Sequence, residues 1–162
     1  EELMQLVNDV LDLSRLEANM MKFQIQEYDA VALCNDAIYM ARMRNEETIE
    51  IYFDTHIETQ PITTDTGRLI QALVSTLTYP QKNTAHREIT FTLTRDDSGK
   101  QICFRISNSP LADPEFNSQE VSIRHDINRL LLQHFGGSYN ITADEQERPV
   151  INFTYPLDII SE

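Results

Sequence analysis

From Leu3 to Leu16 apolar residues recur at steps of three and four (Leu3, Leu6, Val7, Val10, Leu11, Leu13, Leu16), with Asn8, Asp9, Asp12 and Arg15 between them. That spacing predicts an amphipathic helix with a broad apolar stripe. Asn19, which tolerates left-handed backbone, marks its end. Phe23 to Tyr28 alternates as a short strand does. Asp29 is placed to cap a second helix with Val31, Cys34, Ala37, Ile38 and Ala41 on its inner face and a polar end around Asn45 to Thr48. Ile49 to Phe53 reads as a strand, followed by a polar segment containing Pro61. Asp65 caps a third helix carrying Leu69, Ile70, Leu73, Val74 and Leu77, and Pro80 is expected to end it because proline disfavours helical geometry at Tyr79.

Two alternating strands follow, on Ile89, Phe91, Leu93 and on Ile102, Phe104, Ile106, joined by the turn Asp96-Asp97-Ser98-Gly99. Asn108 to Gln119 reads as a loop. A last helix from about Val121 to Phe135 places Ile123, Ile127, Leu130, Leu131 and His134 on one face, and Gly136-Gly137 stops it. Tyr139 and Ile141, then Ile151, Phe153 and Tyr155, form a closing hairpin. Strands pairing locally, with helices that each need a cover, predict an α+β fold. We expect a two-layer sandwich with a mixed sheet covered by helices on one face, preceded by a long amphipathic helix.

Composition narrows the function classes. A formal net charge of -13 over 162 residues argues against a nucleic-acid partner, which needs basic patches, and against an anionic membrane face. Neither a membrane-spanning stretch nor a signal peptide is visible, so a cytoplasmic location is expected, with no membrane insertion by this stretch. Cys34 and Cys103 stand singly within apolar segments and read as reduced core residues. The cysteines and histidines lack metal-ligand spacing.

Several words of sequence carry a resemblance. LVNDVLDLSRLEAN looks like the end of a dimerisation hairpin, TDTGRLIQALVSTL like the start of an asparagine-box helix, and QHFGGSYNI with INFTYPL like a final helix, double glycine and closing hairpin. In this order they resemble the C-terminal part of a two-component sensor histidine kinase, with its ATPase domain of the Bergerat type. The resemblance covers nearly the whole chain. It implies residues 1–20 as the second hairpin helix and 21–162 as the catalytic-type domain. It further implies a homodimer through the first helix, a response regulator or receiver domain as partner, and an acceptor histidine upstream of Glu1.

In that family ATP is held by three patches. An amide oxygen in the asparagine box binds Mg²⁺, which takes hard oxygen ligands. A strand-end aspartate followed by glycines holds adenine, and a glycine-rich junction lets helix N–H groups approach phosphate. Here the box reads QALVSTLTYPQKNT, with Tyr79 in the magnesium asparagine's place and Ser75 for an earlier asparagine; Lys82 and Thr84 keep the pattern. Asn108 replaces the aspartate, and Pro110, with φ fixed, replaces the first glycine. Ser122 and Arg124 stand where glycines would cradle phosphate. His125-Asp126 has the form of a phosphoacceptor pair, but it lies at the start of the last helix and we read it as structural.

The resulting expectation is a signalling domain impaired in ATP binding, pseudokinase-like, with no cofactor. One alternative is an active ATP-dependent protein-histidine kinase using Mg-ATP through Lys82, Asn108 and a rearranged lid. Another is a protein-binding switch akin to anti-sigma factors, which share the fold.

Overall fold

The computed structural model describes residues 2–45 and 48–157. The side chain of Leu3 and residues Glu46 and Glu47, on which two of the sequence expectations fall, lie outside the described residues. The elements are α1 (Glu2–Glu17), β1 (Gln26–Asp29), α2 (Ala30–Asn45), β2 (Ile49–Thr55), β3 (Pro61–Thr64), α3 (Thr66–Thr76), β4 (Arg87–Arg95), β5 (Gln101–Ser107), α4 (Gln119–His134), β6 (Ser138–Ala143) and β7 (Pro149–Pro156). Two 3₁₀ turns, Pro110–Ala112 and Pro114–Phe116, lie between β5 and α4.

Five strands form a mixed sheet in the order β2-β4-β5-β7-β6, with β2 and β4 parallel and the other pairs antiparallel. Alternate residues (Ile89, Phe91 and Leu93 on β4; Ile102, Phe104 and Ile106 on β5) are buried while their neighbours are more exposed, so the sheet buries one face. Leu33, Cys34, Ala37, Ile38 and Ala41 of α2 and Leu69, Ala72 and Leu73 of α3 join that same core. A two-layer α+β sandwich with helices on one face of a mixed sheet results. Cys34 and Cys103 are both free thiols, and burial pushes the Cys34 thiol upward, away from reactivity.

Local chemistry explains the boundaries. Asn19 adopts φ +60°, and the Met20 N–H reaches the Arg15 carbonyl at 2.8 Å, closing α1 as a left-handed cap. Asp29 receives the N–H groups of Val31 and Ala32, and Asp65 that of Arg68 at 3.1 Å; both caps fall where expected. Gly136 (φ +86°) stops α4, and Gly137 packs so tightly that a Cβ there would lie 2.0 Å from the Thr154 carbonyl oxygen.

Four expectations are corrected. The first strand begins only at Gln26; Phe23 lies ahead of it and stacks on His134 with ring centroids 4.2 Å apart. His134 is accordingly exposed rather than on the buried face. The segment holding Pro61 is a strand, β3, paired antiparallel with β1 through Tyr28 and Ile62. Helix α3 stops at Thr76, ahead of Pro80. The hydroxyls of Ser75, Thr76 and Thr78 donate to carbonyls one turn back, and Asn45 Nδ2 takes the Leu77 carbonyl at 3.0 Å.

Candidate functional site

Helices α1, α2, α3 and α4 and the segment after α3 border an open cavity of about 290 Å³, lined by Asp9, Arg44, Ser75, Thr78, Tyr79 and Arg124. A neighbouring cavity of about 380 Å³ is bordered by Tyr79, Asn83, Arg87, Asn108 and Phe116. The structure therefore brings Ser75, Tyr79 and Arg124 to one cavity, and Tyr79 and Asn108 to the other. Lys82 and Ser122 are exposed, and Pro110 is buried as the first residue of a 3₁₀ turn.

Each of the interior groups is held by the chain itself. On α3 the Ser75 hydroxyl donates to the Ala72 carbonyl at 2.6 Å and accepts from the Asn128 amide at 3.2 Å. Tyr79 turns its phenol onto the Ala85 carbonyl, 2.6 Å away, and its ring meets Phe116 edge to face at 5.5 Å. Asn108, at φ +66°, accepts Arg87 Nη1 through both its backbone oxygen (3.0 Å) and its side-chain oxygen (3.1 Å) and donates Nδ2 to the Glu88 carbonyl. The other Arg87 Nη pairs with the Asp113 carboxylate, while the guanidinium lies over the Tyr79 and Phe116 rings. Burial works to raise the Asp113 carboxyl, yet the Glu115 N–H and the Arg87 guanidinium outweigh it and hold it below the ordinary value.

The β5–α4 connection is pinned at further points. Ser109, fully buried, donates to the Thr76 carbonyl at 2.6 Å and caps the first 3₁₀ turn. His125 bridges Tyr139 OH (2.7 Å, Nδ1) and the Leu111 carbonyl (3.2 Å, Nε2). Because a carbonyl only accepts, Nε2 carries the proton and Nδ1 accepts from the phenol. Burial lowers the His125 pKa and pushes Tyr139 up to about 12, so both stay neutral near pH 7. Across the first cavity Arg124 Nη2 meets Asp9 Oδ1 at 2.6 Å, with the two side chains only 11 and 10% exposed. The face of α1 carrying Leu6, Asp9, Leu13 and Leu16 is thus turned toward the domain, while Met4, Val7, Val10 and Leu11 are exposed.

No protein-family model matches the chain, and no curated protein matches it significantly. Solved structures do. A histidine kinase of Acinetobacter baumannii, AdeS, superposes over 97% of this chain and 79% of its own, with a TM-score of 0.71 and 14% identity. ShkA, in complex with AMPPNP, covers 99% of this chain and 37% of its own at TM-score 0.75 and 20% identity. The catalytic domain of histidine kinase ThkA covers 83% of this chain and 99% of its own at TM-score 0.66 and 17% identity. The fold is that of a histidine-kinase ATPase domain. At these identities the likeness is one of fold.

Within this histidine-kinase fold, residues Asp9, Arg87, Ser109, Asp113 and Phe116 hold the site and were not singled out in the sequence. Glu50, His86 and Glu88 also come together, their ligand atoms all within 4.8 Å of one another. Among the described residues no helix is long and apolar enough to cross a membrane.

Proposed function

We propose that this chain is the catalytic-type signalling module of a two-component histidine kinase, with its nucleotide positions taken by its own side chains. On this reading it acts by docking and relay, as a pseudokinase does, rather than by ATP turnover. Residues 1–20 are the second dimerisation helix and 21–162 the ATPase-like domain. The supporting observation is the Arg87 cluster: the position expected to receive adenine, Asn108, has its side-chain oxygen occupied by Arg87, and Asp113, Tyr79 and Phe116 close around that guanidinium.

The other two patches fit Mg-ATP no better. Tyr79 offers a phenol hydroxyl that donates to the Ala85 carbonyl, where Mg²⁺ wants a free hard oxygen. Arg124 is neutralised by Asp9 where backbone N–H groups would meet phosphate. Displacing these internal partners is a cost that a ligand must meet before it binds. The exposed apolar residues of α1 fit pairing with a second copy of this helix, and a response regulator or receiver domain is the partner that the resemblance implies.

A second reading is favoured by one comparison: ShkA, a structural neighbour, is complexed with AMPPNP. An active kinase would then require Arg87 to release Asn108. Titration with a fluorescent ATP analogue and Mg²⁺ separates the two. We expect no saturation below about 100 μM. Micromolar, magnesium-dependent binding would overturn the pseudokinase reading.

A further inference from the structure

We propose that Glu50, His86 and Glu88 bind a divalent transition-metal ion, with Zn²⁺ as the probe. The parallel register sets Glu50 directly beside Glu88 on β2 and β4. Two like charges at paired positions of neighbouring strands repel, and a cation between them turns that repulsion into attraction. His86, just before β4, adds an imidazole, with Nε2 3.7 Å from the Glu88 carboxylate. The three donors already lie within 4.8 Å of each other. A tetrahedral zinc ion with ligands near 2.1 Å needs them about 3.4 Å apart, a closure that exposed side chains make by rotamer adjustment alone.

The donor set selects the ion. One imidazole with two carboxylates suits zinc, manganese or iron, whereas Mg²⁺ demands an octahedron of oxygens and keeps its water. Tyr52 supplies an outer shell: its hydroxyl donates to Glu50, orienting that carboxylate. His86 and Glu88 also border the second cavity, so the ion's remaining positions are open to water. A chain of net charge -13 draws cations to its surface. None of the three residues stands at a position matched to the ATP patches, although His86 and Glu88 share the second cavity with Tyr79 and Asn108, and the metal is titrated without nucleotide.

Calorimetry of the whole chain with ZnCl₂, then with MgCl₂, tests the assignment. We expect one Zn²⁺ per chain and no heat from Mg²⁺ at the same concentration. His86→Ala and Glu50→Gln each lower Zn²⁺ affinity at least about tenfold, since even outer-shell losses at metal sites cost that much. Zn²⁺ raises the melting temperature of the unaltered chain but not of H86A. His134→Ala, remote from the cluster, binds as the unaltered chain does. The assignment is overturned if the unaltered chain binds no Zn²⁺, if H86A and E50Q both titrate unchanged, or if Mg²⁺ binds equally well.

Discussion

Asp9→Ala removes the carboxylate that pairs with Arg124 and so tests what holds α1 to the domain. Breaking a fully buried ion pair from one side costs about 3–5 kcal/mol, and a surface pair about 0–1 kcal/mol. Here both side chains are nearly enclosed, 11 and 10% exposed, but they border a cavity large enough to admit water to a stranded guanidinium. Asp9 also accepts from Gln5 at 2.9 Å, a smaller loss. We therefore expect about 2 kcal/mol, lowering the melting temperature by about 4–8 °C if the chain melts as a unit. Because α1 meets the domain through one helix flank, the loss should concentrate there. Amide exchange along α1 should accelerate while β4 and β5 keep their protection. The double-mutant cycle D9A, R124A and D9A/R124A should return a coupling well above about 0.5 kcal/mol. Additive single effects, together with unchanged exchange in α1, would show that the pair does not hold the helix.

Two further outcomes follow from particular contacts. Gly137→Ala places a Cβ 2.0 Å from the Thr154 carbonyl oxygen, on a strand paired on both sides, so overpacking of about 3 kcal/mol is expected; a thermal midpoint within a degree of the unaltered chain would contradict it. His125 has its pKa lowered chiefly by burial, with Arg129 adding to the effect and the Leu111 carbonyl and Asp126 opposing it. A base with a depressed folded pKa leaves stability intact above its unfolded value, about 6.5, and loses it as pH falls below that. The urea midpoint should therefore drop more steeply from pH 7 to 5 in the unaltered chain than in His125→Gln, and parallel curves would remove His125 from the acid response.

The elements that were legible in the sequence are those whose pattern is local. Strands β4, β5 and β7 alternate over six or more residues, and the caps Asp29 and Asp65 act within one turn of themselves. Strand β3 was missed because its single buried apolar residue, Ile62, gives no period; it exists through pairing with β1, some thirty residues earlier. The 3₁₀ turns were within reach. Ser109-Pro110 and Asp113-Pro114 each place a capping side chain before a proline, and both side chains do cap, through Leu111 and Glu115. Helix α1 shows the opposite limit. Its stripe declares an amphipathic helix, but only the approach of Arg124, far away in the chain, decides that the part around Leu6, Asp9 and Leu13 faces the domain while Val7, Val10 and Leu11 stay exposed.

The same limit governs the candidate site. Tyr79, Asn108 and Arg124 are patch positions by the resemblance alone, Tyr79 by alignment from Gln71 and Arg124 by counting back from Gly136. What occupies their polar atoms could not be read, since Arg87 lies at the start of a strand whose pattern predicts only an exposed or half-buried polar side chain. The fold brings that guanidinium to Asn108 across the sheet end and to Asp113 in the connection beyond it. Three groups separated in sequence thereby satisfy one another, and burial makes leaving any of them unpaired costly. Asn108 has a structural role that depends on its being an amide: it both accepts from Arg87 and donates to the Glu88 carbonyl, which a carboxylate could not do. Asn108 thereby ties the ends of β4 and β5 together, and that closure is the contact on which the proposed docking role rests.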